Sequence, residues 1–332
     1  MLIVRVWHDA GVDDPVAPQA HVEVAVVGTV NLDRTVRVAH LPRPGGSVVG
    51  DAVTTGLGGK GANQAVAAAR QGAHTVLIAC VGDDPDGAGL LATLTAEPNL
   101  DCRAVRRVAR PTGASFVTVD AAGANTVVSV RGANHALDDE SVHRHGRAIA
   151  DASVLLVQLG IPLDAVRAAL EIARSVGTIT VLDPSPPVAV TDDLLRLVDI
   201  CTPNETEAAE LTGIAVDDLD SARRAAVALV ARGCALAVVT LGAGGAYCAS
   251  AGATDGVVVA PFPVEAIDPT GAGDAFCGAL AAALAHRAPV DVALARAAAA
   301  GALATTRAGA APSLPTRPEV DALVAGAAPT SA

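Results

Sequence analysis

Short apolar runs alternate with helically spaced stretches along most of this chain. Val22–Gly28, His74–Ala79, Ser153–Leu159, Thr178–Leu182, Asp199–Thr202 and Ala235–Leu241 are apolar over most of their length. That is the pattern of parallel strands covered on both faces. Between them, Gly87–Thr95, Asp138–Ala150, Leu163–Ser175, Thr191–Leu197, Asn204–Leu211 and Ser221–Arg232 read as helices. The alternation is a βαβ signature and predicts an α/β fold, a doubly wound, mostly parallel sheet flanked by helices. Two regions break the pattern. Arg34–Thr55 alternates polar and apolar residues around a turn with Pro42, Pro44, Gly45 and Gly46, and Ala114–Asp120 and Thr126–Val130 flank AAGAN in the same way. Alternation marks a sheet with one wet face, so residues from about 33–56 and 112–131 are expected to form a small β-sheet lid. Residues 1–21, with Pro15, Pro18 and no periodicity, are expected to be a disordered leader. The α/β domain is placed at 22–323 and a tail at 324–332.

Composition narrows the function classes. The chain has 332 residues, of which 51% are hydrophobic, yet no run reaches the eighteen or so apolar residues of a membrane helix. The apolar start is followed at once by His8, Asp9, Asp13 and Asp14, unlike a signal peptide, so a cytoplasmic protein is expected. A net charge of −12 argues against a nucleic-acid surface. It also requires any phosphate-bearing ligand to be held by local features and a metal. Cys80, Cys102, Cys201, Cys234, Cys248 and Cys277 form no C-x-x-C pair and read as reduced core residues. One Trp, one Tyr and three Phe leave little for stacking on bases.

The richest chemistry lies in Asp268–Asp274, DPTGAGD, between the strand-like Val257–Pro261 and the helical Ala272–Ala285. Gly271, Ala272 and Gly273 sit where a turn becomes a helix, so their amides suit an anion. Asp274 lies beside that hole in the first helical turn, where a carboxylate can take a proton while the amides stabilise phosphoryl charge. The bland alternative is that Asp274 only complements the helix dipole. Asn31 and Asp33 emerge just past the first strand, the usual place for ligand contacts in such a sheet. Gly56–Gly61, GLGGKG, matches a dinucleotide fingerprint, with Asp83 beyond it, and keeps a nicotinamide oxidoreductase as a rival; a tight turn with Lys60 solvated is the plain reading. Asn204 is a natural helix cap with Glu205 and Glu207 behind it, either simple capping or an outer-shell magnesium site. TLGAGG at Thr240–Gly245 is an ordinary turn or a nucleotide-phosphate loop. His143 and His145 are two apart on one helix and point in different directions, so they are expected to be solvated and not metal ligands. RAGAAPS at Arg307–Ser313 either wraps a cation or merely turns.

These segments together resemble the ribokinase family of sugar kinases, also called the PfkB family, from about Val22 to Leu323. GTVNLD, GGKGANQAVAAARQGA, RGANHAL, TPNETEAAELTG, TLGAGG and DPTGAGDAFCGAL occur in the family's order. The resemblance implies a magnesium- and ATP-dependent kinase acting on a sugar's primary hydroxyl, D-ribose first, with another sugar or a nucleoside as the alternative. Asp274 would be the base and Gly271, Ala272 and Gly273 the anion hole. Asn31, Asp33, Gly59, Lys60 and Asn63 match its sugar segments. Asn204, Thr240, Gly242, Gly245 and Gly273 match its ATP site, with Glu207 reaching magnesium through water. Asp268, Thr270, Ala304, Arg307, Gly309 and Ser313 match its potassium loops. The β lid would close on the sugar and pair with a second lid in a homodimer. Two positions depart from the family. Gly160 stands where a sugar-binding glutamate usually follows Gln-Leu, and Ala298 stands where a nucleotide histidine is often seen.

Overall fold

Successive residues of the strand Val24–Val27 point to opposite faces of one sheet. Val24 and Val26 join one core and Ala25 and Val27 the other, which makes all four residues buried. The computed structural model describes residues 22–122, 124–253 and 255–327, so the expected leader lies outside the described residues. The main sheet has ten strands. From one edge its order is Val257–Val259, Ala246–Ser250, Leu236–Thr240, Ile200–Cys201, Ile179–Asp183, Val154–Gln158, Val24–Val27, Thr75–Gly82 and Leu100–Asp101, with Val105–Val108 also paired to Thr75–Gly82. Pairing is parallel except at Ala246–Ser250 and Val257–Val259, which close one edge antiparallel.

Val24–Val27 is flanked by Thr75–Gly82 on one side and Val154–Gln158 on the other, both parallel to it. The chain winds outwards in one direction from this strand and then returns to wind in the other. The carboxyl ends of Val24–Val27 and Val154–Gln158 therefore form the switch point where open α/β sheets bind ligands. Helices Lys60–Arg70, Pro85–Thr95, Ala272–Ala285, Val290–Ala304 and Arg317–Ala327 bury their apolar residues on one face. Helices Asp139–Arg144, Gly146–Ala150, Leu163–Val176, Asp192–Leu195, Glu205–Thr212 and Leu219–Arg232 cover the other. Lys60–Arg70 and Ala272–Ala285 pack with almost no space at Gly278, where an added Cβ would lie 2.4 Å from the Ala67 Cβ and 2.7 Å from the Gln64 carbonyl oxygen. This contact brings the first residues of the two helices together, and the candidate site is built from them.

The four-stranded second sheet runs Gly50–Gly58, Asn31–Val38, Gly113–Val119, Asn125–Val130. The two expected hairpins meet through a parallel pairing of Asn31–Val38 with Gly113–Val119. Period-two alternation sorts its residues by face. Asn31, Asp33 and Ser115 share one face, while Val53, Phe116, Val128 and Val130 share the opposite one and are exposed.

Two expectations need correction, and three strands were not expected. The helix expected over Asp138–Ala150 is two short helices broken at His145, where Gly146 weakens helix propagation. The last helix runs to Ala327 with Leu323 and Val324 against the core, so a tail beginning at 324 would start inside it. Strands Leu100–Asp101, Val105–Val108 and Ala246–Ser250 carried no strand signal, being two residues long, half basic, or short and small-residued.

Candidate active site

The helix Ala272–Ala285 starts at Gly271, whose φ of 83° is a left-handed conformation that costs a side-chain-bearing residue energy. No side chain caps this helix. The Ala272 amide donates to the Pro269 carbonyl at 3.2 Å and closes the turn. Among the described residues no backbone acceptor meets the Gly271 or Gly273 amide. The expected three-amide hole therefore has two open donors in this structure, with Ala272 shaping the turn. Asp274 follows in the first turn at 7% exposure.

The Asp274 carboxylate is held from two sides. Asn63 Nδ2 donates to Oδ2 at 2.9 Å and Gln64 Nε2 to Oδ1 at 3.0 Å. The Lys60 Nζ lies 3.9 Å from Oδ1. All three donors lie within the first turns of the helix Lys60–Arg70. Against the plain reading, Lys60 is only partly solvated, its side chain 35% exposed and its ammonium paired. Its ammonium is 3.2 Å from the Asp183 Oδ2, at the end of the strand Ile179–Asp183. Burial alone would lower the Lys60 ammonium's affinity for its proton, but the carboxylates of Asp183, Asp274 and Glu207 hold it above its ordinary value. Burial pushes Asp183 above the usual carboxylate range, Lys60 pulls it down, and the charges of Glu207 and Asp274 push it further up.

In the segments expected to contact the sugar, Asn31 and Asp33 extend from the switch point into the second sheet. Asn31 Oδ1 accepts from Asn134 Nδ2 at 2.7 Å, and Asn31 Nδ2 reaches Ser115 Oγ at 3.3 Å. Asn134 also accepts from the Val30 amide at 2.9 Å, so it locks the segment from which Asn31 and Asp33 project. Burial raises the Asp33 carboxyl, a hydrogen bond with Ser115 opposes this, and the charge of Asp274 adds to it. Asp33 Oδ1 and Asn63 Oδ1 are buried with no hydrogen-bond partner in the protein. Buried acceptors of this kind require donors, and two of them beside a carboxylate call for a ligand rich in hydroxyls. Gly59 caps the helix bearing Asn63 and packs over Asn31.

In the segment expected to meet the nucleotide, Asn204 and Glu207 form a reciprocal capping box, with Asn204 Oδ1 accepting from the Glu207 amide at 2.9 Å and Glu207 Oε2 from the Asn204 amide at 3.0 Å. This engages one Glu207 carboxylate oxygen, and its charge reaches Lys60 and Asp183. A single carboxylate with a spare oxygen fits magnesium bound through water. The Thr240 amide donates to the Pro203 carbonyl at 2.9 Å, which sets the turn Gly242–Gly244 and Gly245 beside Asn204. Ala298, in place of a histidine, is half-buried against the core.

The two segments that the resemblance matches to potassium loops meet beside the glycine turn. Asp268 Oδ1 accepts from the Thr270 amide at 2.9 Å and Oδ2 from the Gly309 amide at 2.8 Å. The amides of Ile267 and Asp268 donate to the Thr305 carbonyl. Ala304 and Ser313 are buried, and Ser313 Oγ donates to the Ala310 carbonyl at 2.8 Å. Arg307 pairs with Glu319, so its guanidinium is engaged outside the loop. Asp268 thus ties the loop after Ala304 to the glycine turn, and its carboxylate is a hard oxygen donor of the kind a monovalent cation takes. Among the described residues no group of three or more His, Cys, Asp and Glu side chains could hold a metal by itself.

The dinucleotide reading of Gly56–Gly61 fails on topology. Gly56 and Gly58 belong to an antiparallel strand of the small sheet, not to a turn after a buried parallel strand, and Asp83 pairs with Arg107 at 2.9 Å. His143 is exposed on the helix Asp139–Arg144, and His145 is half-buried at the break that follows it. Sequence reasoning missed Asp183, Gln64 and Asn134. Asp183 ends an apolar run and precedes Pro184, the same polar-after-strand signal that singled out Asn31. Gln64 and Asn134 gave none, since their roles come from contacts with residues 119 and 103 positions away.

Comparison with known proteins agrees with this geometry. The pfkB family carbohydrate kinase profile matches residues 22–317. Ribokinase of Haemophilus influenzae is 38% identical over 297 residues, covering 89% of this chain and 96% of its own. Deoxyribokinase of Salmonella typhi is 33% identical, covering 78% of this chain and 84% of its own. The structure of Arabidopsis thaliana ribokinase complexed with ribose and ATP superposes with a TM-score of 0.84 at 29% identity, covering 91% of this chain and 98% of that one. A carboxylate at a glycine-built helix start, a capped helix across from it and a matching profile over nearly the whole described chain lead to one assignment: the chain belongs to the pfkB family of carbohydrate kinases.

Proposed function

We propose that this protein transfers the γ-phosphoryl group of ATP to the primary hydroxyl of a pentose, D-ribose first, giving ribose 5-phosphate. The observation that carries the reading is the pair of unpartnered buried acceptors, Asp33 Oδ1 and Asn63 Oδ1, beside Asp274. Sugar hydroxyls supply the donors these atoms lack. Asp33 and Asn63 orient the sugar, and such positioning is a large part of the rate enhancement. The hydroxyl oxygen attacks the γ-phosphorus in line, Asp274 takes its proton, and the bond to the ADP oxygen breaks. The Gly271 and Gly273 amides receive charge developing on the phosphoryl oxygens. Glu207 would hold magnesium through water, and the ion, bound with ATP, would supply neutralisation of phosphate charge. Asn204, Thr240, Gly242 and Gly245 shape the nucleotide side. The loops of Asp268, Thr270, Ala304, Arg307, Gly309 and Ser313 would hold potassium, which would order the anion hole from behind.

The second sheet acts as a lid that excludes water during transfer. Its face opposite Asn31, Asp33 and Ser115 exposes Val53, Phe116, Val128 and Val130, a patch suited to burial against a second lid in a homodimer. Sedimentation mass checks this; a monomer at micromolar concentration would remove the dimer. Six buried, unpaired cysteines suit a reducing cytoplasm.

A second reading, a 2-deoxypentose, is favoured by one observation. Gly160 brings no carboxylate to the switch point, and the Thr29 methyl occupies the space where a side chain at 160 would begin, 2.6 Å from a built Cβ. The deciding experiment is ADP release against pentoses, 2-deoxypentoses, hexoses and nucleosides, in potassium and in sodium-only buffer. Ribose is expected to give the highest kcat/KM, and sodium alone a slower rate. Preference for 2-deoxyribose would establish the second reading, a nucleoside preference would overturn both, and equal rates in the two buffers would remove the potassium site.

A further inference from the structure

We infer that Asp183 is a positioning residue for the phosphoryl-transfer base, acting through Lys60 and Gln64 to keep the ammonium from closing on Asp274. This rests on Asp274 being the base, and the test below separates failure of one from failure of the other. Asp183 is 3% exposed and sits at the end of a central strand. Its carboxylate bonds to neither Asp274 nor backbone among the described residues; its Oδ2 instead takes two side-chain donors. Gln64 Nε2 donates to it at 2.6 Å and Lys60 Nζ lies 3.2 Å away.

Gln64 is a fixed bridge. Gln158 Nε2 donates to its Oε1 at 2.5 Å, which turns the two Nε2 hydrogens towards the carboxylates, one to Asp183 and one to Asp274. Lys60 is shared unequally, 3.2 Å from Asp183 and 3.9 Å from Asp274. The asymmetry has a chemical consequence. An ammonium in direct contact with a carboxylate stabilises its charged form and makes it a weaker acceptor of a substrate proton. Held by Asp183, Lys60 stays close enough to favour charge in the site but leaves Asp274 Oδ1 with one charged donor at arm's length. The other ionisable groups facing Asp183 are Glu207 and the thiols of Cys201 and Cys277, and burial keeps both thiols protonated.

A simple structural ion pair would also place Asp183 beside Lys60, so stability alone decides nothing. Asp183→Asn, which keeps the shape, is expected to lower kcat about tenfold, to leave both KM values within about twofold, and to move the acid limb of the kcat profile to lower pH, since Lys60 then pairs with Asp274. In a Lys60→Gln background the same substitution is expected to cost less than about twofold, because the ammonium it restrains is gone. Asp183→Glu, which restores the charge, is expected to return the acid limb towards its original position and serves as the second variant should Asp183→Asn not fold. A loss that is undiminished in the Lys60→Gln background, a loss confined to the KM for sugar or for MgATP, or an unmoved acid limb overturns the inference. Asp274→Asn is measured alongside. Full activity there removes the base itself, whereas an inactive Asp274→Asn with additive Asp183 and Lys60 effects removes only the positioning role.

Discussion

Asp274→Asn is expected to cut turnover at least ~100-fold while the protein stays folded, the loss typical of removing a positioned general base. An amide cannot accept the hydroxyl proton. It also presents an N–H where the wild-type site has only acceptors. Asn63 Nδ2 and Gln64 Nε2 both donate to the Asp274 carboxylate, so one of them must face the new amide nitrogen or swing away. That rearrangement costs about 1–3 kcal/mol if a buried donor is left unpaired, and thermal melting of the variant reads it separately from turnover. The circular dichroism spectrum is expected to be unchanged, because Asp274 is in the first turn of a helix whose other buried residues are apolar. A folded Asp274→Asn protein with wild-type kcat would show that the proton leaves by another route, and the role assigned to the glycine turn would go with it.

How far the site could be read before folding depended on how local each signal was. The glycine turn and Asp274 were legible because a helix start, its open amides and its first-turn carboxylate all lie within seven consecutive residues. The central strands were legible for a similar reason: a strand buried on both faces is a continuous apolar run, and Thr75–Gly82 is buried throughout. The network behind Asp274 was not. Lys60, Gln64, Gln158 and Asp183 come from two strands and a helix, and their polar atoms meet only because the start of Lys60–Arg70 lies over the ends of Val154–Gln158 and Ile179–Asp183, with the contact at Gly278 adding Asp274 to them. Polar residues inside helical patterns normally mark the solvent side, so Gln64 gave the opposite impression from the truth. The small sheet misled in the same way. Its alternation was read as a wet face and a dry one, but the polar face carries Asn31 and Asp33 at the site while apolar residues of the other face are exposed.

Gly160→Glu alone is expected to fail as a gain of ribose affinity, and Gly160→Glu with Thr29→Ser is expected to succeed. The family resemblance suggests a glutamate at this position, but the Thr29 Cγ2 lies 2.6 Å from where its Cβ would be. Thr29 is 8% exposed and β-branched, so its methyl has few places to go. Forcing a side chain into that space costs about 1–3 kcal/mol, and the single variant should melt earlier with no better KM. Serine removes the Cγ2 and keeps the hydroxyl. A carboxylate placed beside the switch point then offers the sugar a charge-assisted hydrogen bond worth about 1.5–3 kcal/mol, which is about 10- to 150-fold in KM for ribose. The same carboxylate would be left without a partner by a sugar lacking the corresponding hydroxyl, so the double variant should discriminate against 2-deoxyribose more strongly than the wild type does. Steady-state KM values for both sugars, on variants shown to be folded, decide the matter. If the double variant folds and its ribose KM is unchanged, residue 160 does not face the sugar, and the preference among pentoses must be set by Asn31, Asp33 and the lid.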